Sequence, residues 1–278
     1  MVQYTHDTQY NTHNTHDTQR GKNMLKVIAI ANQKGGVGKT TTALALFDYL
    51  KLSGRKVLFI DTDQQKSATK QFQALVDGEY TLYDVLTGEC GLDDAIQHLE
   101  RGDIVAADDL LGRVDVALEG MKKYLYMRKA IEALREDYDY IILDCPPALN
   151  TVLLNNLTAC DEMIIPITCE MMSLEGLVEL ANTVKDVREL TNPNLNVAGM
   201  LLIKYKKNTN LTKQLTPQLH NFEALFNTNT YETRIRESVK QSEAHTVRKS
   251  IFTYAPNCTT ALDYQAFAKE YLGGICNG

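Results

Sequence analysis

The feature that most constrains this chain is a glycine-rich loop between an apolar run and a helical pattern. Residues 26–31 begin with Lys26 and are otherwise apolar and rich in β-branched side chains, which is typical of a strand buried on both faces. The loop reads Lys34-Gly35-Gly36-Val37-Gly38-Lys39-Thr40-Thr41, and residues 40–52 then follow a helical pattern that ends at Gly54. Backbone N–H groups of such a loop converge on phosphate oxygens at a helix N-terminus. The sequence therefore predicts a phosphate-binding loop.

The loop differs from the usual pattern G-x-x-x-x-G-K-[ST]. Gln33 occupies the first glycine position, and an additional lysine, Lys34, precedes the glycines. The remaining positions fit, because Lys39 can reach the β- and γ-phosphates and the Thr40 hydroxyl can bind Mg²⁺. The glycines allow the backbone to curl closely around the ligand. The predicted nucleotide-binding residues are those of the loop and of two acidic strand ends: Lys34, Gly35, Gly36, Val37, Gly38, Lys39, Thr40, Thr41, Asp61 and Asp144.

Carboxylates end two further apolar runs. Asp61 and Asp63 follow the run 57–60, and Asp144 follows the run 140–143. The carboxyl ends of parallel strands lie along one edge of a sheet, so these side chains are expected close to the phosphates. Asp144 is predicted to hold Mg²⁺ through water, and Asp61 is a further metal candidate. A cap or turn role is the alternative for Asp61 and Asp63.

Strand patterns alternate with helical patterns along most of the chain. This order predicts one α/β domain over residues 24–278, a P-loop NTPase fold with a largely parallel twisted sheet and helices on both faces. No linker long enough to divide that range is present. Further strands are predicted at 103–107, 162–167 and 197–203, and helices at 67–76, 81–87, 92–99, 121–136, 151–159, 174–190, 210–226, 238–246 and 260–272.

The first 23 residues differ from the rest. The run Thr-His-Asp-Thr-Gln occurs at 5–9 and again at 15–19. Such a polar segment cannot bury enough apolar area to offset its ordering entropy, so it is predicted to be a disordered tail. Metal binding by His6, His13 and His16 is the alternative to an exposed tail without function.

Charge and cysteine content limit the class of protein. The net charge is −6, yet residues 84–119 hold ten acidic and two basic residues, and residues 200–250 hold nine basic and four acidic ones. A basic patch of this kind can bind phosphates on an acidic protein. The six cysteines form no C-x-x-C pair, which favours free buried thiols in a reducing cytosol over a metal site. No apolar stretch approaches the roughly 18 residues of a membrane span.

The motifs together resemble the ParA/MinD family of deviant Walker A ATPases. Residues 31–41 resemble its Walker A motif, 60–65 its second acidic motif, and 138–147 its Walker B segment. The similarity continues through 166–176 and spans most of residues 25–275. The chain is most similar to the short Soj-type ParA partition ATPases, which lack an N-terminal helix-turn-helix domain.

The resemblance implies a mechanism. ATP and Mg²⁺ would bring two subunits together face to face, and Lys34 would reach the partner's phosphates. Lys39 would hold the phosphates within its own subunit, Asp63 would orient the attacking water, and Thr40 with Asp144 would hold Mg²⁺. Lys34, Lys39 and Asp63 are thus the implied catalytic residues. Hydrolysis is expected to be slow alone and faster with a ParB-type partner, in a cytoplasmic, nucleoid-associated protein that partitions a plasmid or chromosome.

The resemblance also implies sequence-independent DNA binding by the ATP dimer. The matching segments are 204–208 and 235–243, and the candidate contacts are Lys204, Lys206, Lys207, Arg236 and Lys240. Lysines that contact phosphates give salt-sensitive affinity without sequence preference. A solvated basic face is the alternative. The family's Ile-Pro-Arg-Asn run is replaced here by Ile-Arg-Glu-Ser at 235–238.

Three other functions remain open from the sequence. A MinD-like ATPase that positions a membrane or protein cargo needs a basic amphipathic C-terminal helix, whereas residues 261–272 are typical of a helix packed on the domain. An iron–sulfur carrier needs cluster cysteines, and Cys145 and Cys169 are the only candidates near the nucleotide. An ATP-dependent repressor or scaffold with incidental hydrolysis would use the same residues as the ATPase.

Overall fold

A seven-stranded sheet forms the centre of the molecule. The computed structural model describes residues 25–134, 137–168, 172–205 and 219–276. The strand order is β3-β4-β2-β5-β1-β6-β7, and every neighbouring pair is parallel except β3 and β4. The strands are β1 Lys26–Ile30, β2 Val57–Asp61, β3 Ile96–His98, β4 Asp103–Val105, β5 Tyr140–Asp144, β6 Glu162–Thr168 and β7 Asn196–Ile203.

Helices connect the parallel strands and cover the sheet. They are α1 Lys39–Leu52, α2 Ser67–Phe72, α3 Leu82–Thr87, α4 Val114–Ala117, α5 Tyr126–Glu132, α6 Thr151–Ala159, α7 Met172–Leu190, α8 219–226, α9 Val239–Thr246, α10 Ile251–Tyr254 and α11 Thr259–Cys276. Short 3₁₀ turns lie at Asp109–Arg113 and Met121–Tyr124.

The sheet is buried on both faces, as its apolar strands predict. Val27 and Ala29 of β1 pack into a cluster that includes residues of α3, α5, α6 and α7. Ile28 and Ile30 point to the other face and pack against α1 and α11. Period-two alternation sends successive side chains to opposite faces, and both faces are apolar because helices cover both. The predicted fold class is therefore confirmed.

The predicted helix at 92–99 is wrong. Residues 96–98 form the edge strand β3, which runs antiparallel to β4. The Gln97 amide also bonds both backbone groups of Leu75: its Oε1 accepts from the N–H at 2.8 Å and its Nε2 donates to the carbonyl at 2.7 Å. The hydrogen-bonding groups of this segment pair with β4 and with the Leu75 backbone instead of forming helical hydrogen bonds. Tertiary context therefore overrides the local pattern.

Other predicted helices are shorter than the sequence pattern indicates. The helix predicted at 67–76 ends at Phe72, because Gln73 takes a left-handed conformation with φ 59°. The helix predicted at 121–136 divides into a 3₁₀ turn and α5. Of the helix predicted at 210–226, only 219–226 lies within the described residues.

The N-terminal tail, with the three histidines considered as metal ligands, lies outside the described residues, as does Cys169. Across the described ranges, histidine, cysteine and carboxylate side chains form no group of three that could hold a metal ion. In the same ranges, no helix combines the length and apolar character needed to cross a bilayer.

Candidate nucleotide site

The glycine-rich loop joins β1 to α1 and turns sharply twice. Gly36 and Gly38 have φ values of 73° and 78°, a left-handed region that favours glycine. Gly38 is the N-cap of α1, and its carbonyl accepts from the Thr42 N–H at 2.9 Å. The N–H groups at the start of α1 therefore point out of the helix end, as phosphate binding requires.

We expect Gly38→Ala to disrupt this loop. A Cβ at this position would lie 2.6 Å from Ile203 Cδ1, and the residue would keep its left-handed φ. The expected loss of stability is about 1–3 kcal/mol, together with weaker nucleotide binding. Urea unfolding and nucleotide titration measure both effects.

Gly35→Ala is the matched control for stability, because no atom lies within 4 Å of its Cβ position and its φ is not left-handed. Equal stability of the two variants would show that the close approach to Ile203 does not restrict position 38.

Asn32 fastens the loop to the sheet, a role that the sequence analysis did not assign. Its buried side chain donates from Nδ2 to the Pro166 carbonyl at 2.8 Å and accepts from the Lys34 N–H at 2.9 Å. One amide thus links the loop to β6. The sequence signal was a polar residue just after the apolar run, within the segment that resembles a Walker A motif.

Lys39 is buried beneath the loop. Its Nζ donates to the Lys34 carbonyl at 3.2 Å. Burial lowers the pKa of Lys39, and the charges of Asp144 and Asp63 oppose that shift. The Lys39 ammonium therefore lies close enough to Asp144 and Asp63 to feel their charges, as the sequence predicted for the phosphate edge.

Asp144, at the end of β5, is fully buried. Within the described residues, neither of its carboxylate oxygens has a hydrogen-bond partner within ordinary limits. Burial raises its pKa well above the usual range, and Asp61 raises it further, while the Thr40 hydroxyl and Lys39 act in the opposite direction. An unpartnered buried carboxylate is costly unless a cation compensates it, so this position fits a divalent metal.

Both carboxylate oxygens of Asp61 accept hydrogen bonds. Its Oδ2 accepts from the Thr69 N–H and hydroxyl, both at 2.8 Å, and its Oδ1 accepts from the Asp63 N–H at 3.2 Å. Burial raises its pKa to about 6 despite these bonds. In this arrangement Asp61 fixes the start of α2 to the loop after β2, and its metal role stays a prediction.

The loops after β2 and β5 are tied together. The Thr62 hydroxyl donates to the Asp144 carbonyl at 2.7 Å and accepts from the Asn156 amide at 2.7 Å. Thr62 and Asn156 are fully or almost fully buried. This chain of bonds holds the two acidic strand ends side by side and links them to α6.

Asp63 lies half-buried at the mouth of this edge. Its Oδ1 accepts from the Gln65 N–H at 3.0 Å. Asp63 and the proline loop after β5, Pro146 and Pro147, line one small cavity of about 80 Å³. The structure thus brings the implied water-orienting carboxylate together with the loop that continues from Asp144.

Within the described residues, the candidate DNA-binding cations form hydrogen bonds or ion pairs with other residues of the same chain. Lys204 donates from Nζ to the Gly36 carbonyl of the loop at 2.9 Å. Arg236 pairs with Asp263 through two bonds of 2.9 and 2.6 Å, and Lys240 pairs with Glu243 at 2.8 Å.

The three cations remain exposed to solvent while they make these pairs, and their role in DNA binding stays a prediction. Lys204 and Arg236 also line a cavity beside Gly38. Lys206 and Lys207 lie outside the described residues.

Comparison with known proteins places the chain in a family. A family model described as an AAA domain matches residues 25–197. The chromosome partitioning protein ParA of Caulobacter vibrioides is 37% identical over 256 residues, which cover 90% of this chain and 95% of that protein. The sporulation initiation inhibitor protein Soj of Bacillus subtilis is 38% identical over 251 residues, 89% of this chain and 98% of Soj. This chain belongs to the Soj-type ParA ATPases.

The ParA assignment confirms the resemblance inferred from the motifs. Solved structures agree on the fold: cobyrinic acid a,c-diamide synthase from Mycobacterium smegmatis, with bound ADP and magnesium, has a TM-score of 0.77 and 27% identity. The match covers 92% of this ParA chain and 97% of the synthase. Within the described residues, no cluster of cysteines supports the iron–sulfur carrier considered from the sequence.

Proposed function

We propose that this ParA-family protein binds ATP and Mg²⁺, dimerises face to face around the nucleotides, and binds DNA without sequence preference. The observation that supports ATP–Mg²⁺ binding most directly is the buried, unpartnered Asp144 beside Lys39 and Thr40 at the start of α1. A phosphate-binding helix end next to such a carboxylate is suited to a metal–nucleotide complex. The magnesium-bound synthase from M. smegmatis is consistent with this ligand.

Each residue has a defined part in the proposed reaction. Lys39 neutralises the β- and γ-phosphates, and Thr40 and Asp144 hold the metal. Asp63 orients the water, and Lys34 adds a second cation from the opposite subunit. Bound Mg²⁺ supplies charge neutralisation on the phosphate oxygens. Preorganised cations stabilise charge that develops on the transferred phosphoryl group, which is where such a site accelerates hydrolysis.

The proposed cargo and partner protein rest on similarity to named relatives. The relatives from C. vibrioides and Treponema pallidum are named for chromosome partitioning. We infer that this protein acts at the nucleoid in the cytoplasm, partitions a chromosome or plasmid, and is stimulated by a ParB-type adaptor. A dimer doubles its DNA contacts, so ATP-controlled dimerisation can switch DNA binding through multivalency.

DNA binding is expected only in the ATP state. A random-sequence duplex is titrated with ATP, ADP and no nucleotide, at about 50 and 200 mM salt. Asp63→Ala should retain binding because the ATP dimer persists, and Lys34→Ala should lose it. If the dimer makes about six phosphate contacts, its affinity falls by about 10³-fold between the two salt conditions.

Basic residues after β7 provide the sharper test. The double variant Lys206→Ala/Lys207→Ala should bind every duplex more weakly and show a salt slope smaller by about 2 per subunit. Lys185→Ala, an exposed lysine of α7 outside both basic segments, is the matched control. An ATP dimer that binds no duplex in any condition would contradict the DNA role and direct attention to a membrane surface or a protein scaffold.

A further inference from the structure

A cavity of about 160 Å³ lies beside the phosphate-binding loop. It is bounded by Gly38 and Thr41 at the start of α1, and by residues at the end of β7 and in α9 and α11. A cavity of roughly 150 Å³ is large enough for one aromatic ring. Its position next to the loop suits the base of a nucleotide whose phosphates bind at the start of α1.

Apolar side chains form one part of the wall of this cavity, and polar and charged side chains form the rest. Ile203 and Ile235 are buried against it, and Tyr264 forms part of the lining with its hydroxyl bonded to Thr42 at 3.2 Å. Three charged residues also line it: Lys204, Arg236 and Glu237. Arg236 is held by Asp263, and Lys204 donates to the Gly36 carbonyl. Apolar side chains that flank a flat ring provide affinity without choosing between bases, so selection depends on the polar groups that remain.

Gln241 provides such a polar group. It is the third residue of α9, and its side chain lines the cavity. Its Oε1 is buried and has no hydrogen-bond partner in the described part of the chain. A buried acceptor left without a donor is costly, so a bound group that donates a hydrogen bond to it gains affinity.

We propose that Gln241 is a specificity-determining residue that reads the Watson–Crick or Hoogsteen edge of adenine. A carboxamide carries one acceptor and one donor group side by side. Adenine presents the complementary pair, since its exocyclic amino group donates and its adjacent ring nitrogen accepts. A purine without the amino group leaves the buried acceptor unpaired, and a site built for a hydrogen bond discriminates strongly against such an analogue.

This inference rests on the proposed nucleotide site, and it assigns to that site a residue that selects the base. It is tested by binding, so hydrolysis does not enter the measurement. ADP and purine riboside 5′-diphosphate, which lacks the exocyclic amino group, are titrated by calorimetry into the full chain with Mg²⁺. The wild-type protein is expected to bind ADP about 10–100-fold more tightly than the analogue.

Two substitutions remove the amide. Gln241→Leu and Gln241→Met should lower the preference for ADP to within about threefold of unity and leave the affinity for the analogue nearly unchanged. Methionine is included because its unbranched chain fills the same space with little rearrangement. Retained affinity for the analogue also shows that the variant is folded. Thr246→Ala, an exposed residue of the same helix that does not line the cavity, is the matched control and should keep the wild-type preference.

The outcomes separate the inference from the proposed function. Binding of ADP with an unchanged preference in both Gln241 variants overturns the role of Gln241 and leaves the nucleotide site standing. Equal wild-type affinity for ADP and the analogue also overturns it. A chain that binds neither diphosphate overturns both the inference and the proposed function.

Discussion

Lys34→Ala is expected to reduce ATP hydrolysis by about 10³-fold or more, because a cation supplied to the γ-phosphate from a second subunit has an effect of that size. The motivating observation is the additional lysine directly before the glycines of the loop. Lys39 takes the other role, because its buried ammonium lies beneath its own loop, 3.2 Å from the Lys34 carbonyl. Phosphate release by the purified protein measures the loss.

A mixture of two inactive variants tests whether Lys34 acts across the interface. Lys34→Ala and Asp63→Ala are mixed in equal amounts. In a mixed dimer, the nucleotide site of the Lys34→Ala subunit has its own Asp63 and receives Lys34 from the other chain. Activity should return, and it reaches about a quarter of the wild-type value when half of the dimers are mixed, because each mixed dimer has one active site of two.

The same mixture can contradict the arrangement. If Lys34 acts on its own nucleotide, both sites of the mixed dimer remain inactive and no activity returns. Lys56→Ala is the control for loss of a lysine. Lys56 lies just before β2, at the opposite edge of the sheet from the carboxylates, and its substitution should leave hydrolysis unchanged.

Asp144→Asn is expected to have opposite effects on activity and on the stability of the unliganded protein. Hydrolysis should fall by about 10²–10³-fold, because the metal loses its negatively charged support. The unliganded protein should become more stable by about 1–3 kcal/mol, because a buried, unpartnered carboxylate beside Asp61 becomes a neutral amide. Added ATP–Mg²⁺ should then stabilise the variant less than the wild type.

The stability of unliganded protein should also depend on pH. The folded pKa of Asp61 is raised to about 6 and that of Asp144 well above the usual range, both chiefly by burial. The folded state therefore holds protons that the unfolded chain has released above about pH 4. Stability is highest at acidic pH and is lost as pH rises through the folded pKa values.

Urea unfolding of unliganded protein at pH 5 and pH 8 measures this effect. The wild type should be less stable at pH 8, and Asp144→Asn should show a smaller difference between the two pH values. An equal difference in both proteins would show that Asp144 is ionised at both pH values or is paired in solution. If Asp144→Asn is less stable than the wild type at pH 8, that result would also contradict the prediction that the buried Asp144 charge destabilises the unliganded protein.

The sequence predicted the nucleotide edge because its signals are local. A glycine-rich loop after an apolar strand fixes a helix N-terminus, and acidic residues at the ends of parallel strands must share one edge. The position of Asp144 beside Lys39 follows from those two rules alone. The match of the motifs to the ParA family rests on the same short segments.

Contacts between side chains that are far apart in the sequence could not be predicted from such local signals. The exposed Lys204, whose DNA role stays a prediction, also has its ammonium 2.9 Å from the Gly36 carbonyl, 168 residues away in the chain. Both Asp61 and Asp144 follow apolar strands, yet α2 occupies the oxygens of one and leaves the other without a partner. Asn32 and Gln241 lie in the segments 31–41 and 235–243 that resemble the family, yet nothing local in the sequence shows which groups their amides meet.

Local sequence patterns specify the buried parallel strands, the phosphate loop with Lys34 and Lys39, and the edge at which the carboxylates gather. The tertiary structure decided which polar groups are already satisfied and which remain open to a ligand. Local patterns can specify the former features because hydrophobic period and turn chemistry are properties of short segments. Burial and hydrogen-bond partners, by contrast, depend on segments that meet only when the sheet is assembled.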